Sequence, residues 1–148
     1  MCKPFHFTFI LSLTFFACLS FANTTETKFA RIQVEVNQQT LPLEYANTFE
    51  LRAQGLMFRE EMCDDCGMLF KFEFAKHAGM WMKNTLIPLD VAFIRADGKI
   101  TDIKAMQPHD LRTTSSSEAV LYAWEMNQGW FAQNDIKVGD KITLTQAD

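Results

Sequence analysis

The sequence predicts an α+β fold in which one or two short helices accompany a mainly antiparallel, strongly curled (barrel-like) sheet. Most segments are short, rich in β-branched and aromatic residues, and separated by turn residues. The pair Asp97-Gly98 lies between two such segments and is a strong hairpin signal. Strands and helices do not alternate regularly and no glycine-rich phosphate loop is present, which argues against a dinucleotide-binding α/β fold.

The first elements are a hairpin and a short helix. Apolar and polar residues alternate over 30–36 and predict a strand, which a turn at 37–39 connects to a partner strand over 41–45. A helix begins at Asn47 or Thr48, because both side chains accept hydrogen bonds from the amides of a first helical turn.

Four strands are predicted in the middle of the chain. Gly55 is placed to end the preceding helix or to allow a close contact. The apolar composition of 67–72 and the alternation over 79–83 each predict a strand. The segments 89–95 and 99–106 flank the Asp-Gly turn and predict a hairpin.

The last third of the chain begins with a polar segment. Proline, threonine and three consecutive serines over 107–118 predict an exposed loop. A strand is then expected over 119–126, a short helix over 128–134 and a closing strand over 141–145.

The N-terminus resembles a secretory signal peptide. Lys3 supplies the positive charge, 5–21 is almost entirely apolar, and small residues at 20 and 22 fit a cleavage site after Ala22. We therefore expect residues 1–22 to be removed and the protein to be periplasmic or secreted. A membrane anchor and a lipoprotein attached through Cys18 are the alternatives.

The remaining chain is long enough for one domain with one core. We expect a linker at 23–29 and a single domain at 30–145. The net charge of −4 and the lack of a basic run argue against nucleic acid as a partner. No second apolar stretch is long enough to cross a membrane.

The pair Cys63 and Cys66 predicts a disulfide, since an exported protein meets an oxidising compartment. Asp64 and Asp65 between them oppose the thiolate that a redox role requires. Zinc needs two further ligands and the sequence has no second cysteine pair outside the signal segment. A metal site stays open as an alternative to the disulfide.

A polar constellation is the candidate site. The segment WMKNTLIPLD at 81–90 mixes an aromatic ring, a cation, an amide and a carboxylate, which indicates a polar network or a ligand site. Alternation places Glu125 at the end of an apolar face, with Arg59 or Lys83 as its expected charge partner. Tryptophans beside polar groups favour a pocket for a carbohydrate or another small polar molecule. The predicted ligand-binding residues are Arg59, Trp81, Lys83, Asn84, Asp90, Glu125, Asn127 and Trp130.

Two other functions remain open at this stage. Glu125 and Asp90 facing each other would suit an acid–base pair in a hydrolase-type enzyme of the envelope. His77, Met80 and Met82 resemble in composition the soft-ligand sites that hold Cu(I), although methionine also fills irregular cores. The sequence assigns no catalytic residue and no cofactor.

Several motifs, taken together, resemble a known family. They are GLMFR at 55–59, GMLF at 67–70, WMKNTLIPLD at 81–90, EMN at 125–127, GWF at 129–131 and IKVGD at 136–140. In this order they are similar to the domain of unknown function 192 family of small, often exported bacterial and archaeal proteins. The resemblance implies a compact domain with a curled sheet and implies no activity. Many members carry further cysteines where this chain has His109-Asp110, so a disulfide in that loop does not carry over.

Overall fold

The computed structural model describes residues 29–146. The predicted signal peptide, the lipoprotein alternative at Cys18 and all but the last residue of the predicted linker lie outside this range. Within it the chain forms seven strands and two short helices. They are β1 (Ala30–Val36), β2 (Gln39–Ala46), α1 (Phe49–Gln54), β3 (Gly67–Met80), β4 (Leu89–Ile94), β5 (Ile100–Met106), β6 (Thr114–Asn127), α2 (Trp130–Gln133) and β7 (Thr143–Gln146).

The seven strands form one sheet in the order β5-β4-β6-β3-β2-β1-β7. Every neighbouring pair is antiparallel except β2 and β3, which are parallel. The mainly antiparallel sheet predicted from the sequence is therefore confirmed. The strand pairing leaves β5 and β7 as edges, and a single bridge between Lys99 and Lys141 joins the segments before them. The sheet is open, and the barrel-like curl remains a prediction.

Apolar side chains alternate along β6 and pack into two separate cores. Ala123 belongs to one core with Met68, Phe70 and Val91. Trp124 belongs to the other core, in which Trp130 and Phe131 of α2 pack against it with ring centroids 5.5 and 4.9 Å away. From Tyr122 to Met126 the side chains thus follow the period of two on which the placement of Glu125 depends, whereas Val120, beyond the register shift, packs in the same core as Ala123.

Two long strands replace shorter predicted elements. β3 is one strand of 14 residues, with register shifts between Lys71 and Lys76 and between His77 and Gly79, where the sequence predicted two strands. β6 also has 14 residues and begins at Thr114, so the polar loop predicted over 107–118 is too long. Serine-rich sequence is a weak strand former, but pairing with β3 supplies the hydrogen bonds that hold it extended.

The first hairpin and α1 follow the local signals. Asn37 and Gln38 both have positive φ, as a tight two-residue hairpin turn requires. Thr48 caps α1, with its hydroxyl accepting from the Leu51 amide at 3.3 Å. Phe29, the end of the predicted linker, is instead buried in the core that contains Ala123.

Candidate binding site

Glu125 lies in the middle of the sheet, opposite Met68 of β3 and Val91 of β4. Its side chain is on the same face as Ala123, among apolar neighbours, and the residue is only 4% exposed. Burial raises the pKa of the Glu125 carboxyl to about 8. Within residues 29–146 no ion pair or hydrogen bond to this carboxyl is found, so neither Arg59 nor Lys83 is its partner.

A small cavity of about 30 Å³ lies against Glu125. One side of the cavity is formed by the last turn of α1 and the residues that follow that helix. The other sides are formed by residues near both ends of β3, by the residue directly after β3, and by the segment before β4. The lining residues are Arg52, Ala53, Gln54, Gly55, Leu56, Met57, Phe70, Met80, Trp81, Thr85 and Glu125. A space of this size holds about one or two water molecules or one small chemical group.

Trp81 forms part of the cavity wall and is 52% exposed. The Lys83 ammonium lies 5.4 Å from the centre of its ring, which is a cation–π distance. An indole that is half exposed beside a cavity offers a flat apolar surface to any molecule whose polar group enters the cavity.

Backbone hydrogen bonds hold the segment 81–85 in place. The Met82 amide donates to the Asp110 carbonyl at 2.9 Å, and the Phe58 amide donates to the Asn84 carbonyl at 2.8 Å. The His109 amide donates to the Thr85 carbonyl at 3.2 Å. Trp81 and Thr85 are therefore positioned by neighbouring loops rather than by the sheet alone.

Asp90 lies on the other side of the sheet. It is the neighbour of Val91, which pairs with Glu125, so the carboxyls of Asp90 and Glu125 point to opposite faces. Asp90 Oδ2 accepts from the Gly129 amide at 2.8 Å, next to the start of α2. The acid–base pair considered from the sequence is therefore wrong in its geometry.

Arg59 and Asn84 make local contacts away from the Glu125 carboxyl. Arg59 pairs with Glu44, with Nη2 and Oε2 2.5 Å apart, and its guanidinium lies 6.0 Å from the ring centre of Phe29. Asn84 is exposed with a φ of 53°, and its backbone carbonyl accepts from the loop after α1. Arg59 therefore connects the loop after α1 to Glu44 of β2, and Asn84 contacts the same loop through its backbone.

Asn127 and Trp130 lie at a second, open hollow of about 440 Å³ beside the cysteine loop. Asn127 Nδ2 donates to the Cys63 carbonyl at 3.0 Å. Trp130 is buried, and its indole nitrogen donates to Asp65 Oδ1 at 2.9 Å. Thus the eight residues predicted as one site are divided between two hollows and several local contacts.

Cys63 and Cys66 are at disulfide distance, with Cα atoms 5.1 Å apart. Among residues 29–146 no group of three or more His, Cys, Asp or Glu side chains is placed to hold a metal ion. The copper alternative required three side chains at the surface. His77 is exposed, but Met82 is only 2% exposed and belongs to the core, so this arrangement is wrong.

A protein-family model matches residues 31–144, which is most of the chain. The family is domain of unknown function 192 (DUF192), described as "Uncharacterized ACR". This chain belongs to the DUF192 family. No curated protein matches it.

Two solved structures resemble this DUF192 protein. A Sinorhizobium meliloti 1021 protein described as a "putative transcription regulator" is 36% identical and has a TM-score of 0.76, with 80% of this chain and 97% of that one covered. A Novosphingobium aromaticivorans DSM 12444 protein of unknown function is 31% identical with a TM-score of 0.71, and 82% and 89% of the two chains are covered. No helix among residues 29–146 is long and apolar enough to cross a membrane.

Sequence reasoning missed most of the cavity wall in this DUF192 member. Thr85, Leu56 and Met57 border the cavity, although none was a candidate. Gly55 was the residue of the sequence that could have indicated a close contact at this position. A Cβ at Gly55 would lie 3.3 Å from the Phe70 ring, and its φ of 49° is one that glycine adopts readily, so glycine favours the close approach of α1 to β3.

Proposed function

We propose that this protein is an exported periplasmic protein that binds a small polar molecule, with a carbohydrate as the favoured class, at the cavity beside Glu125. The observation that carries the proposal is the buried carboxyl of Glu125, which has no ion-pair or hydrogen-bond partner among residues 29–146 and lies at a cavity bordered by a half-exposed tryptophan. An unpaired buried polar group reduces stability, so its presence at a cavity favours a role in binding.

The cavity size limits how such a ligand is held. About 30 Å³ admits one hydroxyl or amino group with its carbon, and the rest of the molecule must stay outside. The ring of Trp81 lies where the remainder of a sugar ring can stack. The Lys83 ammonium covers part of that ring, which leaves the rest of its surface for a ligand.

Export is supported by the sequence of the N-terminal segment, with its single lysine and apolar run. The description of the S. meliloti protein suggests DNA as an alternative partner. The net charge of −4 disfavours that alternative, because binding to phosphates depends on clustered cations.

Titration by NMR tests the proposal. Glucose, galactose and glucosamine are added to the purified protein while the indole signal of Trp81 and the amide signals of Gly55 and Thr85 are followed. At least one sugar is expected to shift these signals in a saturable way, and Trp81→Ala is expected to abolish binding. Phe74→Ala is the matched control, because Phe74 is an exposed aromatic residue of β3, the strand that ends just before Trp81, and it does not border the cavity.

The proposal is overturned if none of the sugars shifts the cavity signals. It is also overturned if binding is equally strong in Trp81→Ala. Loss of binding in Phe74→Ala would indicate general surface adhesion rather than a site.

A further inference from the structure

The side chains that border the cavity offer mainly electron-rich groups. The lining residues include Trp81, whose ring has negative faces, the thioether side chains Met57 and Met80, and the carboxyl side chain Glu125. The hydroxyl of Thr85 already donates to the Lys83 carbonyl at 3.3 Å. The C-terminal end of α1, which carries partial negative charge, also borders the cavity.

The one cation that borders the cavity is engaged elsewhere. The Arg52 guanidinium donates to the Lys71 carbonyl at 2.9 Å and to the Asn47 carbonyl at 3.1 Å, and it lies 3.7 Å from Glu73. The cross-strand neighbours of Glu125 are apolar, as Met68 and Val91 show. Among the described residues the side-chain donors that remain in the cavity wall are neutral ones, the amide of Gln54 and the indole N–H of Trp81.

A ligand group must complement this wall in charge and in size. A primary ammonium has three donors and a positive charge, so it can pair with a carboxylate and lie against an indole face. It is also compact enough for a cavity of about 30 Å³, whereas an acetamido group is not. A neutral hydroxyl would gain neither the ion pair nor the cation–π contact.

We propose that the cavity selects a primary ammonium group, so that the ligand is an amino sugar or a similar small amine whose cation pairs with Glu125 and contacts Trp81. The inference rests on the proposed function and narrows its ligand class. Arg52 of α1 borders the cavity and Lys83 lies nearby, and the positive charge of each opposes a bound cation. The proposal therefore requires that Arg52 keep its present contacts, which hold its guanidinium against the Lys71 carbonyl.

Three sugars that share the same ring and differ in the group at a single carbon provide the test. Glucosamine carries an ammonium, glucose a hydroxyl and N-acetylglucosamine an acetamide. Titration calorimetry at pH 6.5 is expected to give glucosamine an affinity about tenfold or more above glucose, since charge-assisted hydrogen bonds are the stronger ones. N-acetylglucosamine is expected to bind more weakly than either.

Glu125→Gln keeps the shape of the side chain and removes its negative charge. Glucosamine is expected to bind this variant no better than glucose does. Glu118→Gln is the matched control on the same strand, because Glu118 is exposed and lies 3.5 Å from Arg95, away from the cavity. The control is expected to keep the full preference for glucosamine.

A measurement on the unaltered protein covers the case in which Glu125→Gln does not fold. Pairing with an ammonium favours the ionised carboxyl, so binding of glucosamine should release about one proton to the buffer. Calorimetry in buffers with different ionisation enthalpies measures this number. Glucose should release none.

The outcomes separate the two proposals. Equal affinity for glucose and glucosamine overturns the ammonium inference, and so does binding of glucosamine without proton release. The proposed function is still supported in both cases if binding depends on Trp81. A preference for glucosamine that persists in Glu125→Gln also overturns the inference. Absence of binding by all three sugars overturns both.

Discussion

Two carboxyls lie close together in the sheet and are buried to similar extents, Asp90 at 9% and Glu125 at 4% exposure. Asp90 faces the core that contains Trp124 and accepts a hydrogen bond from the Gly129 amide at 2.8 Å. Glu125 faces the opposite core, has no such partner among the described residues, and borders a cavity. The difference shows that burial alone does not mark a site. The carboxyl with a backbone donor stabilises the start of α2, whereas the carboxyl without a partner among the described residues is the one on which the proposed binding site rests.

The largest expected effect is on how stability depends on pH. The pKa of Glu125 rises from its ordinary 4.5 to about 8 on folding. Because the folded state holds this proton more tightly, the stabilisation is fully present below pH 4.5 and is lost as the pH rises through 8. Between pH 5 and 8 the unfolding equilibrium constant should increase by roughly tenfold per unit. Urea denaturation at several pH values measures this slope.

Glu125→Gln serves as the control for that slope, because the amide does not titrate. Its stability is expected to vary little between pH 5 and 8. If the stability of the variant falls with pH as steeply as that of the unaltered protein, another group causes the pH dependence. Glu125 then does not hold a proton at neutral pH in the folded protein.

A smaller effect is expected at Asp90. Asp90→Ala removes the acceptor of the Gly129 amide and leaves that partly buried donor unpaired, which should lower the free energy of unfolding by about 1–3 kcal/mol. Asp90→Asn keeps an oxygen acceptor and should lose less. Urea denaturation of the two variants at one pH gives the difference. Equal stability of Asp90→Ala and the unaltered protein would contradict the architectural role.

The smallest effect is expected at Arg59, which pairs with Glu44 rather than with Glu125. Arg59→Gln should lower the free energy of unfolding by about 1 kcal/mol or less, as partly exposed ion pairs do. The change in its free energy of unfolding with pH, between pH 5 and 8, should match that of the unaltered protein. A steeper slope would mean that Arg59 does influence Glu125, and the contrast between the two carboxyls would weaken.

Local chemistry made the hairpins and the face of Glu125 predictable. Asp97-Gly98 and the polar turn at 37–39 determine which strands are joined, and alternation along β6 determines which side chains share a face. The strand bounds 30–36 were predicted correctly for the same reason. These features depend on residues that are adjacent in sequence.

The partners of the polar residues could not be predicted in the same way. Arg59 meets Glu44 and Trp130 meets Asp65 across long stretches of chain, and several bonding arrangements were equally compatible with the sequence. The cavity depends on the approach of α1 to β3, a packing detail for which Gly55 was the available signal. Long-range geometry therefore decided which residues of the predicted constellation lie together.

The position of β6 between β4 and β3 has a consequence for how the chain folds. The β4–β5 hairpin can form from neighbouring residues, but it joins the rest of the sheet through β6 and the bridge at Lys141, both of which are made late in synthesis. Gly67 must find Met126 before the two parts unite, and such distant pairing is slow because loop closure must come first. We therefore expect refolding to take milliseconds to seconds, roughly as in other sheets dominated by distant pairings.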